Sequence, residues 1–530
     1  MSYLKSVQAA AFAALSVVGA ATTSAMAQQV ILRSDDGSMT VSGELLDFDG
    51  QNYTIGTIVG TMQVDALQVQ CEGSACPEVT EQDLGFVVTG DKGIADNLLP
   101  VIADRFAANI GGSSSLQMAG EGRMAVTIGT DTGETLANIS FDTQGATAGF
   151  AELINGNAGL VVSRRPVRLS DVTQAGASRL EDVFDEAQEK VIALDGVVVV
   201  TSRNNQLRTI SEDALADVFA GRITNWSQLG LPDAPINVYL QDTSEATAER
   251  FDEVILNPRR LDFTGNVTQV DSDQAVVAAV ASDPTGIGIT TFSNARFGKI
   301  VDIRGVCGLQ VSPTPYTIKT EEYPLSQRIY AYQAKDENRP VYNRFFDFLD
   351  SPQAQAAVSG SNLIDLGVSY QDNNEQGLRY LAALLPSDVE VSFGQLRQMS
   401  EQMLAGDRMS ITFRFDFGSS RLDARAREDI DRLANILTTG DFTNREVLLI
   451  GFTDSVGDGI SNQRLSARRA EFVRNALLDA APAGALDNVR IRAMGYGEMS
   501  PVSCNQSENG RAINRRVEVW VKDTVQAQAQ

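Results

Sequence analysis

Two aliphatic runs without polar alternation, Gly159-Leu160-Val161-Val162 and Val197-Val198-Val199-Val200, constrain this chain most. A strand that is apolar on both sides must be covered on both sides, which α/β layers achieve and a one-sided antiparallel sheet does not. From about residue 84 to residue 366 such runs alternate with helical spacing, as in Asn97 to Ala108 and Glu212 to Ala220. The alternation predicts an α/β domain with mainly parallel sheets.

The flanking regions read differently. From about Gln29 to Cys76 apolar and polar residues alternate, as in Met39-Thr40-Val41 and Tyr53-Thr54-Ile55. With Asp49-Gly50 as a hairpin signal, a small antiparallel β module is expected there. A polar stretch from about Ser369 to Ala405, including Asp372-Asn373-Asn374-Glu375, reads as a connector. From about Met409 to Lys522 the pattern is strand, long helix, strand, helix, strand. The first helix, Ala424 to Leu437, puts Ile430, Leu433, Ala434 and Leu437 on one face. The second would start at an N-cap on Ser461 or Asn462, bury Leu465, Phe472, Val473 and Leu477, and carry Arg469 two turns in.

Composition narrows the function. The chain has 530 residues, so several domains are expected, and its formal charge is -25. Such an acidic surface repels nucleic acid and anionic membranes, so nucleic acid is not an expected partner. The count of histidines is 0, which excludes Ser-His-Asp and Cys-His machinery and removes the commonest metal ligand. A binding protein without catalytic residues, metal or cofactor is expected rather than an enzyme. Lys5, the apolar run Ala9 to Ala21 and Ala25-Met26-Ala27 form a secretory signal peptide over residues 1–27, followed by a soluble protein of an oxidising compartment. Cys71 and Cys76 can close a small disulfide loop there. Cys307 and Cys504 would bridge two domains if bonded, and the sequence leaves their pairing open.

The densest local chemistry is Gly451-Phe452-Thr453-Asp454 followed by Asn462-Gln463-Arg464-Leu465-Ser466-Ala467-Arg468-Arg469-Ala470. The buried-type strand Val447-Leu448-Leu449-Ile450 delivers Asp454 to a loop, and Arg469 follows in a helix. Asp454 could take an ammonium group and Arg469 a carboxylate, clamping a small zwitterion. With Phe415-Asp416-Phe417-Gly418-Ser419 and Asn514-Arg515-Arg516-Val517-Glu518, this segment resembles the peptidoglycan-binding OmpA-like C-terminal domain over roughly the last fifth of the chain. The resemblance implies that Asp454 and Arg469 hold the diaminopimelate of the stem peptide, with Thr453 and Asn462 in the same site. Arg515 and Arg516 read as strand-edge charges that steady the module.

The middle region has its own likeness. Val218-Phe219-Ala220-Gly221-Arg222-Ile223 before Thr224-Asn225-Trp226-Ser227-Gln228-Leu229-Gly230, Gly145-Ala146-Thr147-Ala148-Gly149-Phe150 before Val162-Ser163-Arg164-Arg165-Pro166, and Gly286-Ile287-Gly288 resemble the PstS-like, phosphate-class periplasmic substrate-binding proteins. That implies two α/β lobes around a small anion, with ligand contacts from Gly90, Asp91, Thr147, Ser163, Arg164 and Ser244. Two loops depart from the family pattern. Ser244-Glu245-Ala246 stands where Ser-Gly-Thr is usual, and Gly90-Asp91-Lys92-Gly93 where Gly-Ser-x-Thr is usual. The added carboxylates would repel phosphate, which points to a ligand carrying an amine or to a pocket that no longer binds.

The expected architecture is therefore multidomain: a small N-terminal β module over 28–79, a two-lobed α/β substrate-binding domain over 80–370, a connector over 371–405, and an α+β OmpA-like domain over 406–524. The expected role is a non-enzymatic periplasmic protein of a Gram-negative bacterium, held non-covalently to peptidoglycan near the outer membrane. Its binding domain would serve phosphate or another solute, as in ABC transport. The alternative is a structural envelope protein with a silent pocket.

Overall fold

The computed structural model describes residues 29–34, 39–48, 52–77, 84–119, 123–130, 132–133, 135–174, 186–243, 245–334, 340–372, 376–377, 393–415, 422–440, 442 and 444–524. The expected signal peptide lies outside them. So do Asp49-Gly50, Ser244, Asn373-Asn374-Glu375 and Asp416 to Ser419.

The N-terminal strands Gln29–Ser34, Thr40–Phe48, Asn52–Thr57, Gly60–Asp65 and Val69–Glu72 form one antiparallel sheet in which Gln29–Ser34 pairs with both Thr40–Phe48 and Val69–Glu72. Its alternation buries Val30 and Leu32, then Tyr53 and Ile55, on one face. Cys71 is bonded to Cys76. This sheet is a compact unit by itself, and residues 81–336 and 341–530 form another.

Within the larger unit, Leu160–Ser163 and Glu189–Thr201 contain the two aliphatic runs, all four residues of each strand segment Leu160–Ser163 and Val197–Val200 being buried. The sheet around them is mixed rather than mainly parallel. Gly85–Gly90 does pair in parallel with Leu160–Ser163 and Thr135–Asp142, as does Asn237–Leu240 with Gly286–Thr291. The strands that join the two halves break that rule. Glu189–Thr201 runs antiparallel to Ser326–Gln333 through its first part and antiparallel to Gly286–Thr291 through its last. A chain that passes from one lobe to the other and back produces such antiparallel neighbours, and an apolar run carries no sign of its direction. Of the expected helices, Glu212–Phe219 is present, while Asn97 to Ala108 is divided into Lys92–Asn97 and Leu99–Asn109, with Pro100 in the first turn of the second.

The C-terminal sheet has the order Tyr370–Gln371, Gly406–Arg414, Arg516–Asp523, Arg445–Gly451, Arg490–Gly495. Helices Ala424–Thr439 and Gly459–Ala480 cover one face, burying Ile430, Leu433, Ala434 and Leu437 against Val447, Leu449 and Val519. The opposite face takes Met399 and Met403 of helix Phe393–Met403 against Leu448, Ile450 and Trp520. The end of the expected connector thus completes a core.

Charge and a covalent bond join this sheet to the central region. Cys307 is bonded to Cys504. The turn at Glu321-Glu322 meets four arginines: Glu321 pairs with Arg328 at 2.6 Å, Arg414 at 3.4 Å and Arg425, and Glu322 pairs with Arg408 at 2.6 Å. Arg408, fully buried, also meets Glu518 at 3.3 Å.

Candidate functional sites

The C-terminal site depends on two glycines. Gly451 and Gly495 are register partners on adjacent parallel strands. A Cβ on Gly451 would lie 2.1 Å from Ser466 O, and one on Gly495 2.1 Å from Ala467 N. Only glycine lets helix Gly459–Ala480 lie this close to the sheet. The approach brings the helix's polar residues against the loop after Gly451.

That helix begins at an N-cap on Asp458, which accepts from Ser461 N at 2.9 Å, rather than on Ser461 or Asn462 as expected. Arg469 is therefore almost three turns in rather than two. The buried face also differs from expectation. It is Asn462, Ser466, Arg469, Ala470, Val473 and Leu477, with Leu465 half-buried and Phe472 41% exposed. Polar side chains hold core-facing positions at the start of this helix, against the loop after Gly451.

Thr453, Asp454, Asn462 and Arg469 are all buried, and Arg469 is 1% exposed. Asn462 Nδ2 donates to Asp454 O at 3.5 Å, and Val456 N donates to Asp454 Oδ1 at 3.2 Å. Asp454 Oδ2 accepts from Arg515 Nη1 at 2.9 Å, so Arg515 is part of the site rather than a strand-edge charge. Arg515 is fixed in turn by Phe415 O at 3.1 Å and Glu508 at 3.0 Å. Arg516 does serve the scaffold, bonding Glu518 at 2.7 Å. The Arg469 guanidinium lies 5.0 Å from the Phe415 ring centroid. Burial, and then the neighbouring Arg515 charge, pull its pKa down to about 10 against the opposing pull of Asp454. Thr453 Oγ1 is buried without a hydrogen-bond partner among the described residues.

The second candidate is a cleft of about 890 Å³ in the central region. It opens at the ends of strands, where open α/β sheets place ligands. Asp91 follows Gly85–Gly90, Arg164 follows Leu160–Ser163, Gln241 follows Asn237–Leu240, and Ser293 follows Gly286–Thr291. Of the five described residues expected here, Asp91 and Arg164 line the cleft. Gly90 has φ +114, and a Cβ there would lie 2.0 Å from Val162 O, so it serves the backbone. Ser163 Oγ donates to Arg165 O at 2.7 Å, and Thr147 Oγ1 accepts from Arg165 Nη2 at 2.9 Å, so both side chains belong to the loop around Arg165.

Arg164, 8% exposed, is held by Asp195 at 2.9 Å and Asp91 at 3.3 Å. Burial works against its charge, but Asp91, Asp195 and Asp273 outweigh burial and raise its pKa. Asp273 opens helix Asp273–Ser282 and accepts from Thr247 Oγ1 at 3.1 Å through Oδ2. Its Oδ1 is shut off from solvent and has no hydrogen-bond partner among the described residues. Burial pushes the Asp273 carboxyl up to about 7, with Asp195 and Asp91 adding to the rise and Arg164 and Thr247 opposing it. The Glu245 carboxyl is also raised, by burial and then by Asp91, Asp242 and Glu249. Asp195 and Asp273 escaped sequence reasoning. Neither lies in a motif, and the fold alone gathers them around Arg164.

Two lobes of α/β structure with a cleft at their strand ends are thus followed by an α+β sheet with a buried Asp–Arg cluster. Residues 108–353 match the PBP superfamily domain and residues 414–515 match the OmpA family. The first match lies on the central region and the second on the C-terminal sheet. It is 42% identical over 123 residues to outer membrane porin F of Pseudomonas fluorescens, covering 23% of this chain and 35% of that protein. It is 38% identical over 115 residues to outer membrane porin F of Pseudomonas aeruginosa, covering 22% of this chain and 31% of that protein. It is also 27% identical over 237 residues to the phosphate-binding protein PstS of Borreliella burgdorferi, covering 43% of this chain and 80% of that protein. The chain thus spans about a third of the two porins' length. Among the described residues, no helix is long and apolar enough to cross a membrane.

Proposed function

We propose that this chain is a cell-envelope protein that holds peptidoglycan through its C-terminal domain and offers a solute-binding cleft in its central domain. The observation that carries the first part is the buried trio Asp454, Arg515 and Arg469. Two guanidinia share one small site with the Asp454 carboxylate, and the folded protein depresses the charge of Arg469. A ligand carboxylate at Arg469 would relieve that cost, and the Asp454 oxygens keep acceptor capacity beyond Val456 N and Arg515 for a ligand ammonium. Thr453 Oγ1 would supply a further polar contact. An ammonium and a carboxylate on one carbon are what diaminopimelate presents, so the stem peptide of peptidoglycan fits. Both family matches and the relatives named above support an envelope location, on the periplasmic side.

Sedimentation with purified peptidoglycan tests this. Wild-type protein is expected in the pellet, and Asp454→Asn and Arg469→Gln are expected largely in the supernatant, with unchanged circular dichroism. Wild-type retention by both folded variants would sink the assignment.

A second reading has its own support in the cleft. Arg164 is already neutralised, and Ser293 and Thr247 spend their hydroxyls on Asp195 and Asp273. A phosphate would find few donors there, so a silent cleft in a structural envelope protein is the competing account.

A further inference from the structure

The cleft's donors and acceptors are unequally spent. Ser293 donates to Asp195 through both Oγ, at 2.6 Å, and its backbone N, at 3.1 Å. Thr247 donates to Asp273, and Arg164 is divided between Asp91 and Asp195. Helix Asp273–Ser282 directs its N-terminus at the cleft, but Ser272 Oγ caps it by accepting from Ala275 N at 3.1 Å, and the Asp273 carboxylate sits in its first turn. The groups that would greet an anion are therefore occupied by the protein's own carboxylates.

Acceptors remain. Among the described lining residues, five carboxylates face the cavity against two cations, Lys92 and Arg164. Asp273 Oδ1 is buried with no donor among the described residues. Glu245 begins the short helix Ala246–Phe251, and its side chain caps nothing there. A carboxylate oxygen held away from water without a donor costs free energy that a ligand N–H can return. A metal ion is a poor fit, because among the described residues no three carboxylates converge as metal ligands do. The carboxylates are instead spread around a cavity of about 890 Å³, which suits an extended organic molecule.

We infer that the central cleft binds an organic cation bearing primary ammonium groups, seated among the Asp273, Glu245 and Asp91 carboxylates that line it, and excludes phosphate. An –NH3+ group brings three donors and one positive charge, matching what the cleft lacks. The inference rests on the central domain being a solute-binding domain.

Isothermal titration calorimetry of the full chain at neutral pH tests it, with spermidine and L-lysine as cationic probes and inorganic phosphate as the anionic one. Saturable binding of at least one cationic probe is expected, weakened about tenfold or more by Asp273→Asn and by Glu245→Gln, with no heat from phosphate. Both variants should melt cooperatively, so that a loss reports on the site. Phosphate binding with silent cationic probes would overturn the inference while leaving the solute-binding reading intact. Cation binding indifferent to both variants would also overturn it, since the acidic surface alone would then account for the heat. Silence towards these probes and a broad panel of small solutes would remove the solute-binding reading itself.

Discussion

The central cleft and the C-terminal site carry opposite charge balances. In the cleft one buried guanidinium, Arg164, is shared among Asp91, Asp195 and the nearby Asp273. In the C-terminal site one buried carboxylate, Asp454, has two guanidinia for neighbours, Arg515 in direct contact and Arg469. A buried charge needs local compensation, and whatever the protein leaves short is what a ligand can bring. The comparison therefore assigns opposite electrostatic tasks to the two ligands. On the two proposals above, the cleft would be completed by a cation, whereas the C-terminal site would take an additional carboxylate beside Arg469. Each central side chain also has an opposite relation to stability. The fold favours the charge of Arg164 and disfavours that of Arg469.

The sharpest way to break this contrast is to remove both guanidinia, one at a time, at similar volume. Arg164→Met leaves Asp91 and Asp195 buried without their partner and is expected to cost about 3–5 kcal/mol. Arg469→Met also removes a cation in contact with an aromatic ring, yet it relieves desolvation and the repulsion from Arg515. Its expected cost is under about 1 kcal/mol. Differential scanning calorimetry of the full chain would separate the two values. Equal losses would mean that burial alone, and not charge balance, sets the worth of each arginine.

A smaller effect with a definite pH signature is expected at Asp273. Its folded pKa of about 7 stands well above the ordinary aspartate value of about 3.9. The folded state therefore binds its proton more tightly than the unfolded state does. The resulting stability is fully present below about pH 4 and is lost as pH rises through about 7. Asp273→Asn removes the penalty, so it should stabilise the protein by about 2 kcal/mol at pH 8 and by almost nothing at pH 4. The groups facing Asp273 are Arg164, Asp195, Asp91 and the Thr247 hydroxyl. Urea unfolding of both proteins at the two pH values checks the sign. A variant less stable than wild type at pH 8 would show that Asp273 works there as a needed counter-charge to Arg164.

How far each site could be read from the sequence follows from how each is assembled. Asp454 and Arg469 sit within one strand–loop–helix segment, so fifteen positions of sequence hold most of the chemistry, and their neighbourhood was legible. The contact of Arg515 with Asp454 is not legible in the same way, because the two are 61 residues apart, across the sheet. The cleft is harder in the same way. Arg164, Asp195 and Asp273 come from three separate elements, and no local pattern marks them as a group. Apolar periodicity revealed Leu160–Ser163, Glu189–Thr201 and Ala424–Thr439 because burial of one or both faces is a local demand. Strand direction in the central sheet depends on how the chain crosses between lobes, and nothing local encodes it. The Cys307–Cys504 bond was open for the same reason, since its sequence separation is 197.

Helix Gly459–Ala480 offers the mildest test and the most direct one for this lesson. Hydrophobicity alone assigns Phe472 to its buried face, yet Phe472 is 41% exposed while its neighbour Val473 is 0% exposed. The face is rotated because Asn462, Ser466 and Arg469 must point at the sheet and its loop, and the close approach at Gly451 and Gly495 fixes that rotation. Phe472→Ala should then change stability by no more than about 0.5 kcal/mol, as at other exposed positions, while Val473→Ala should cost about 2 kcal/mol by opening a cavity beside Val447 and Leu449. If the larger residue proved the costlier loss, the helix would be rotated from the orientation described. Arg469 would then point away from Asp454, and the contrast between the two sites would lose one of its members.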